Sequence, residues 1–312
     1  MGGAGSIERA FGKGVERLTL PLPTGPRHVH CYLLDGDEGR LLVDAGLGLP
    51  GDEHAWDGLE VDSIVLTHMH PDHVGGAQHA AEHTRAAVHQ LGLDYDQCVR
   101  VWGSADWPER MASWFRSHGV PAPVADELIE QGHAVAPFIR FVRDPRLLVE
   151  GDRVDGWEVL WLPGHADGHI ALARDGMLVC GDVLLADISP AVGLYPESRP
   201  DPLADYVRTL ERIAALDFDV AYPGHGEPVR RPGERARELV EHHRGRLEET
   251  RGALAAELRT GYEVSVTLFG EELSPPQRRF AVAETLSHLE HLVAHRRAAR
   301  GFADGSLAYT AA

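Results

Sequence analysis

Three histidines and an aspartate fall within six residues, His68-Met69-His70-Pro71-Asp72-His73. Imidazole nitrogens and carboxylate oxygens are ligands that suit Zn²⁺, Mn²⁺ or Fe. On a helix, His68 and His70 would point about 200° apart, so this HxHxDH spacing does not suit one helical face. In a tight loop after a strand, all four side chains can converge on one point. The plain alternative is a surface loop that happens to be rich in histidine. A strand-like run before the motif and Gly75-Gly76 after it argue against that. Three further segments repeat the arrangement: Pro163-Gly164-His165, Gly181-Asp182 and Pro223-Gly224-His225-Gly226. Each puts one candidate ligand just past a strand-like run, beside a glycine that lets the backbone turn sharply. Singly each is an ordinary turn; together, in this order, they describe a metal centre.

The elements that must carry these loops read as alternating strands and helices. Residues 29–34 and 40–43 are apolar runs around Asp35-Gly36-Asp37-Glu38-Gly39, a hairpin pattern. Residues 61–67, 157–162, 177–180 and 219–222 are further strand candidates, and each leads into one of the four ligand segments. Residues 76–87 and 202–216 read as helices, the second with apolar positions at Leu203, Tyr206, Val207, Leu210 and Ile213. From about Arg231 the pattern changes to a long charged helix over 234–258, a break at Pro275-Pro276, a helix over 278–297 and a small hairpin over 301–309. The expected organisation is an α/β catalytic domain over 1–230 and a small, mostly helical domain over 231–312.

Composition narrows the function. The chain has 312 residues and a net charge of −18. Residues 1–230 hold 18 basic and 36 acidic residues, and residues 231–312 hold 12 of each, so the whole negative balance lies in the first part. A nucleic-acid partner would meet an unfavourable field there and is disfavoured. No run approaches the roughly 18 apolar residues of a spanning helix, which excludes an integral membrane protein. Residues 1–17 have no apolar signal region, and the three cysteines (Cys31, Cys98, Cys180) form no CxxC pair, so a reducing cytoplasm is expected. An oligomer stays open.

Through HxHxDH at 68–73, GlyHis at 164–165, GlyAsp at 181–182 and ProGlyHisGly at 223–226, the chain resembles the metallo-β-lactamase fold superfamily over roughly residues 15–230. That resemblance implies a four-layer αββα sandwich with the site at one edge. It implies two metal ions, Zn²⁺ with Fe or Mn as alternatives: His68, His70 and His165 on the first, Asp72, His73 and His225 on the second, Asp182 bridging both. β-Lactamases of the superfamily commonly carry cysteine where Asp182 stands; aspartate is the pattern of the glyoxalase II-like hydrolases. His169 is not a ligand in the family, and Asp44 in Val-Asp-Ala-Gly matches a position that orients a ligand. Two metals about 3.5–4 Å apart can share one water as a bridging hydroxide nucleophile. Asp72 and Asp182 are then the catalytic residues, with Asp72 orienting the nucleophile and moving a proton to the leaving group.

The substrate must be read from the remainder. Residues 91–145 interrupt the family pattern and hold Tyr95, Trp102, Trp107, Trp114, Phe115, Phe138 and Phe141, seven of the chain's 21 aromatics, with Met111 at helical spacing among them. This insert either forms a small core of its own or lines an apolar lid over an acyl substrate. The tail resembles the winged-helix extension of beta-lactamase-like hydrolases, some of which are described as endoribonucleases; its neutral charge suggests packing against the catalytic part instead. His288, His291 and His295, at i, i+3 and i+7, read as a packed or surface helix face ahead of a ligand set. The expected activity is hydrolysis of an ester, thioester or lactone of a small-molecule acyl substrate. A metallo-nuclease and a mononuclear iron persulfide dioxygenase are the alternatives.

Overall fold

A computed structural model describes residues 6–12, 14–23, 25–254 and 256–312; the first five residues of the N-terminal stretch lie outside the described residues. The first sheet runs in spatial order β1 (Ser6–Gly12), β2 (Val15–Pro21), β3 (His28–Asp35), β4 (Arg40–Val43), β5 (Ser63–Val65), β6 (Ala87–Leu91) and β7 (Arg146–Leu148). It is antiparallel from β1 to β4 and parallel from β4 to β7. The second sheet holds β8 (Arg153–Val154), β9 (Trp157–Trp161), β10 (Ile170–Arg174), β11 (Met177–Gly181) and β12 (Val220–Pro223) in the order β12-β11-β10-β9-β8.

The period of two along each strand explains how the sheets stack. On β3, Val29, Cys31 and Leu33 point to one apolar cluster and Tyr32 and Leu34 to another. The second cluster lies between the sheets, where Tyr32, Leu34, Val43 and Val65 meet Trp157, Val159, Ile170, Leu172 and Tyr222. A strand buried on both faces needs a near-continuous apolar run, which β3 supplies from Cys31 to Leu34, while the buried His30 before it is hydrogen-bonded to Thr19 and to the Gly226 carbonyl. The outer face of the first sheet is covered by α1 (Pro71–Val74), α2 (Ala77–Thr84) and α3 (Gly92–Val101) through Val74, Ala77, Ala80 and Cys98. The outer face of the second is covered by α6 (Pro202–Leu216), with Leu203, Tyr206, Leu210 and Ile213 on one stripe, and the same apolar cluster takes in α4 (Trp107–Ser117) and α5 (Ala122–Val135). Helix, sheet, sheet, helix is the four-layer α/β order expected from the sequence.

The same outer cluster continues into α7 (Pro232–Ala253), β13 (Arg259–Thr260), α8 (Gly261–Phe269), α9 (Pro275–Ala294), β14 (Ala298–Ala303) and β15 (Ser306–Ala311), with a third sheet in the order β13-β15-β14. Leu239, Val264, Leu286, Leu289, Leu292 and Tyr309 share one apolar cluster with Leu160, Leu178 and Leu203 of the second sheet and α6. Asp304 and Gly305 both take positive φ (48° and 81°), the turn that suits a two-residue hairpin between β14 and β15.

Several expectations need correction. Trp107, Met111 and Phe115 of the insert do not form a core of their own; they pack into the large cluster shared with the C-terminal helices. Pro275-Pro276 starts a helix instead of breaking one, because proline's missing N–H costs nothing in the first turn and Ser274 and Gln277 form a capping box. The strand expected over 61–67 is confined to Ser63–Val65, since the Thr67 amide turns to the Asp44 carboxylate. The helix expected over 76–87 ends at Thr84, where Arg85 adopts φ 61° and Ala87 opens β6. Strands β1, β2, β6 and β7 and helix α8 were not expected.

Candidate metal centre

The topology brings four strand ends together. Strand β10 is antiparallel to both β9 and β11, and β12 is parallel to β11, so β9, β11 and β12 all run the same way. Their C-terminal ends open onto His165, Asp182 and His225 at one edge of the second sheet. The C-terminal end of β5 faces them from the first sheet with His68, His70, Asp72 and His73. The Ile170 amide donates to the Thr67 carbonyl (2.8 Å) and the Gly224 amide to the Gly181 carbonyl (2.8 Å), locking the loops together. Not all of HxHxDH is loop: Pro71 starts α1, so Asp72 and His73 sit in its first turn while His68 and His70 precede it.

All seven expected residues converge. His68, His70 and His165 form one group of potential ligands, Asp72, His73 and His225 another, and His68, His73 and Asp182 a third between them. Oδ2 of Asp182 lies 3.2 Å from His225 Nε2, 3.4 Å from His73 Nε2 and 3.8 Å from His165 Nε2. Oδ2 of Asp72 lies 3.2 Å from His225 Nε2, and His68 Nε2 lies 3.0 Å from His70 Nδ1. A β-carbon at Gly224 would come within 2.5 Å of both Asp182 Oδ1 and His73 Cε1, so the loop passes close enough to the ligands that only glycine fits.

The donor set fits divalent ions. Three buried atoms here, His73 Nε2, His165 Nε2 and Asp182 Oδ1, have no hydrogen-bond partner. Each such buried orphan costs about 1–3 kcal/mol unless something else satisfies it. Several imidazoles are also held in one orientation by their other nitrogen. His73 Nδ1 bonds Asp44 Oδ2 (2.8 Å), His165 Nδ1 bonds the Ala191 carbonyl (2.8 Å), and His225 Nδ1 bonds the His28 carbonyl (2.7 Å). Each arrangement leaves Nε2 as the ligand atom facing inward, the usual support for a metal-binding histidine.

The electrostatics divide the cluster in two. Burial, helped by neighbouring imidazoles, pushes His70 down to about 3 and His68 well below the ordinary value. Burial also opposes charge on His73 and His225, but carboxylates outweigh it: Asp182 and Asp44 hold His73 well above the usual range, and Asp182 and Asp72 hold His225 at about 10. In turn, against the effect of burial, His73 and His225 lower Asp72 to about 2 and Asp182 well below the ordinary carboxylate value. Burial lowers His165 as well, so the site is a trio of neutral imidazoles beside an ion-paired group in which anionic Asp72 and Asp182 face the imidazoles of His73 and His225.

Sequence reasoning missed most of the supporting groups. Asp94, buried at the start of α3, accepts the amide of Met69 between His68 and His70 (2.9 Å) and Gln90 Nε2 (2.6 Å); burial raises it to about 8. Asp167, between His165 and His169, accepts Gln97 Nε2 and the Arg199 amide, each at 2.8 Å. His169 Nε2 accepts the Asp182 amide (3.1 Å), a supporting and not a ligating contact. Trp102 of the insert donates to the Met69 carbonyl (2.8 Å), tying that segment to the ligand loop. Asp167 stands inside His-Ala-Asp-Gly-His, where a signal existed; Asp94 carries none, since Leu-Asp-Tyr-Asp reads as a solvated helix start.

A family model described as Metallo-beta-lactamase superfamily matches residues 24–225, and one described as Metallo-beta-lactamase-like, C-terminal domain, matches residues 247–312. The chain is 28% identical to the probable metallo-hydrolase YqjP of Bacillus subtilis, over 94% of this chain and 96% of that protein. It is 29% identical to a hydroxyacylglutathione hydrolase of Aeromonas salmonicida over 61% of this chain and 54% of that protein. Among solved structures, a metallo-beta-lactamase family protein from Thermus thermophilus aligns with a TM-score of 0.84 and 34% identity, over 97% of this chain and all of the other. A beta-lactamase domain protein from Burkholderia ambifaria aligns with a TM-score of 0.87 and 30% identity, over all of this chain and 96% of the other. With two sheets between helices, ligand loops at the expected edge and a match across both parts of its length, the chain belongs to the metallo-β-lactamase superfamily.

Proposed function

We propose that the chain is a dinuclear metal-dependent hydrolase that cleaves an ester, thioester or lactone bond in a small acyl substrate. The observation that carries this reading is Asp182, whose Oδ2 faces Nε2 of three histidines from three separate loops, between two groups of three ligands. His68, His70 and His165 would hold one ion, Asp72, His73 and His225 the other, and Asp182 both. Zinc suits this set, with iron or manganese as alternatives. Ions held there supply Lewis acidity, which brings a water's pKa towards neutrality and polarises the acyl oxygen.

The chain's own residues do the rest. The Asp72 side chain is about a quarter exposed while His73 beside it is fully buried, so of the two its carboxylate is the one open to the substrate side. There it holds the attacking water by hydrogen bond and moves a proton to the leaving group. Cys180 lies buried behind the site, with burial pushing its thiol far up, and offers no competing nucleophile.

Thioester cleavage is favoured by the aspartate at 182 and by the similarity to hydroxyacylglutathione hydrolases. A polyanionic substrate is disfavoured by the acidity of residues 1–230 and by the zero net charge of residues 231–312, whose helices and hairpin we read as a winged helix without a phosphate-binding stripe. The three cysteines are unpaired and buried, which supports a reducing, cytoplasmic setting. Among the described residues no helix is long and apolar enough to cross a membrane. The test is a panel of acyl thioesters, lactones, phosphodiesters and RNA on metal-replete protein. Turnover of an acyl substrate above the others supports the reading; turnover of RNA or phosphodiesters alone, or oxygen uptake with an iron-only centre, overturns it.

A further inference from the structure

Outside the centre, one other group of side chains among the described residues presents metal-ligand atoms to a common point. Asp201 caps the start of α6, and His291 and His295 lie one turn apart near the end of α9. One donor atom from each lies within 4.8 Å of the others. His291 Nδ1 is 3.0 and 3.2 Å from the two oxygens of Asp201, and the His291 and His295 rings lie side by side with centroids 4.1 Å apart.

We propose that Asp201, His291 and His295 form a further binding site for a divalent transition-metal ion, joining α9 to the start of α6. Around a tetrahedral ion with bonds of about 2.0–2.1 Å, donor atoms sit roughly 3.3 Å apart. The Asp201–His291 pair is already at that spacing, and the His295 donor lies within 4.8 Å of both. Histidines at i and i+4 share one helix face, so both imidazoles can serve one ion. The remaining valence of His295 is already committed: its Nδ1 donates to the His291 carbonyl (2.9 Å), which leaves Nε2 as the ligand atom. Asp201 stays anionic, because the His291 contact and the Ala204 amide outweigh the effect of burial. Two imidazoles and one carboxylate suit Zn²⁺, Ni²⁺ or Cu²⁺ and leave a position for water. His288, one turn earlier, takes no part; it is buried against His243, with His243 Nδ1 3.4 Å from His288 Nε2.

The site spans a seam. Asp201 belongs to the segment matched over 24–225 and both histidines to the segment matched over 247–312. An ion there would act as a staple between the two parts, alongside the apolar contact of Leu203 with the helices of the tail.

The test is calorimetric titration of ZnCl₂ into the full chain, with thermal unfolding at each zinc level and metal counted after desalting. His295→Ala removes an exposed ligand and Asp201→Asn keeps a helix-capping oxygen, so both variants should fold. The expected result is one more zinc per chain in the unsubstituted protein than in either variant, with affinity at that site falling about tenfold or more. A zinc-dependent rise in melting temperature should shrink with it, while hydrolytic turnover stays unchanged. Equal zinc counts and equal thermal responses in all three proteins would overturn the site and leave Asp201–His291 as a hydrogen bond alone.

Discussion

Asp44 accepts a hydrogen bond from His73 Nδ1 at 2.8 Å while the same carboxylate also receives the amide and hydroxyl of Thr67. One side chain therefore fixes both the tautomer of His73 and the backbone that launches the HxHxDH motif. Asp44 does this from a left-handed conformation (φ 61°), which aspartate and asparagine tolerate better than most residues.

Asp44→Asn keeps that backbone but removes the charge facing His73. Metal affinity should fall about 10–100-fold, as for other groups that orient a ligand. Competition against a chromogenic chelator measures this; an unchanged affinity would show that the carboxylate has no part in holding the metal.

The purified protein should carry about two transition-metal ions per chain at the HxHxDH centre. His70→Ala or Asp182→Ala should abolish hydrolysis while circular dichroism and cooperative unfolding persist. Near-normal turnover in either folded variant would remove the residue from the centre.

Stripping the metal should lower the melting temperature as well as the activity. A ligand that binds only the folded state at about a thousand times its Kd stabilises it by about 4 kcal/mol. The shift should reverse on adding zinc, and a melting temperature indifferent to chelation would contradict this.

Asp94→Ala should leave the Met69 amide and the Gln90 amide without their acceptor, costing about 1–3 kcal/mol. Because Met69 separates His68 from His70, metal affinity should fall with stability. Urea unfolding of the metal-free and metal-loaded variant separates the two effects.

The buried His243–His288 pair sets a pH dependence. Burial, with the neighbouring imidazole, pushes His243 down to about 3, and burial pushes His288 down to about 4. In the unfolded chain both titrate near 6.5. Between those values the unfolded state binds more protons, so stability is present above about pH 6.5 and is lost as pH falls towards 4. Each such group contributes a slope of about 1.4 kcal/mol per pH unit in that window. His288→Gln should flatten the fall in urea-unfolding free energy between pH 6.5 and 4.5; an identical slope would mean the pair is not buried neutral.

The convergence of the seven candidate ligands was legible because each is written next to its own turn: a strand, then glycine or proline, then the donor. His165, Asp182 and His225 need no distant information to be recognised. Helix α6 was legible for the same reason, with a proline start and an apolar stripe in one period. Strands β6 and β7 were not, because short edge and parallel strands such as Arg146–Leu148 are defined by partners far along the chain. Helix α8 carries the β-prone sequence Gly-Tyr-Glu-Val-Ser-Val-Thr-Leu-Phe, yet the Thr260–Glu263 capping box and the packing of Val264 override that preference. Thr-x-x-Glu was the available signal. The role of Asp94 is a tertiary fact, visible only once α3 is laid beside the metal loop.

The apolar cluster that joins the second sheet, α4, α6 and the C-terminal helices has a consequence for how the molecule comes apart. Leu203, Tyr206 and Leu210 share one cluster with strands whose ends carry the candidate ligands and with residues beyond 231. Neither side keeps its interior dry without the other. The two parts should therefore melt in a single cooperative transition, and loss of the tail should reach the catalytic loops as a loss of rigidity rather than of any ligand.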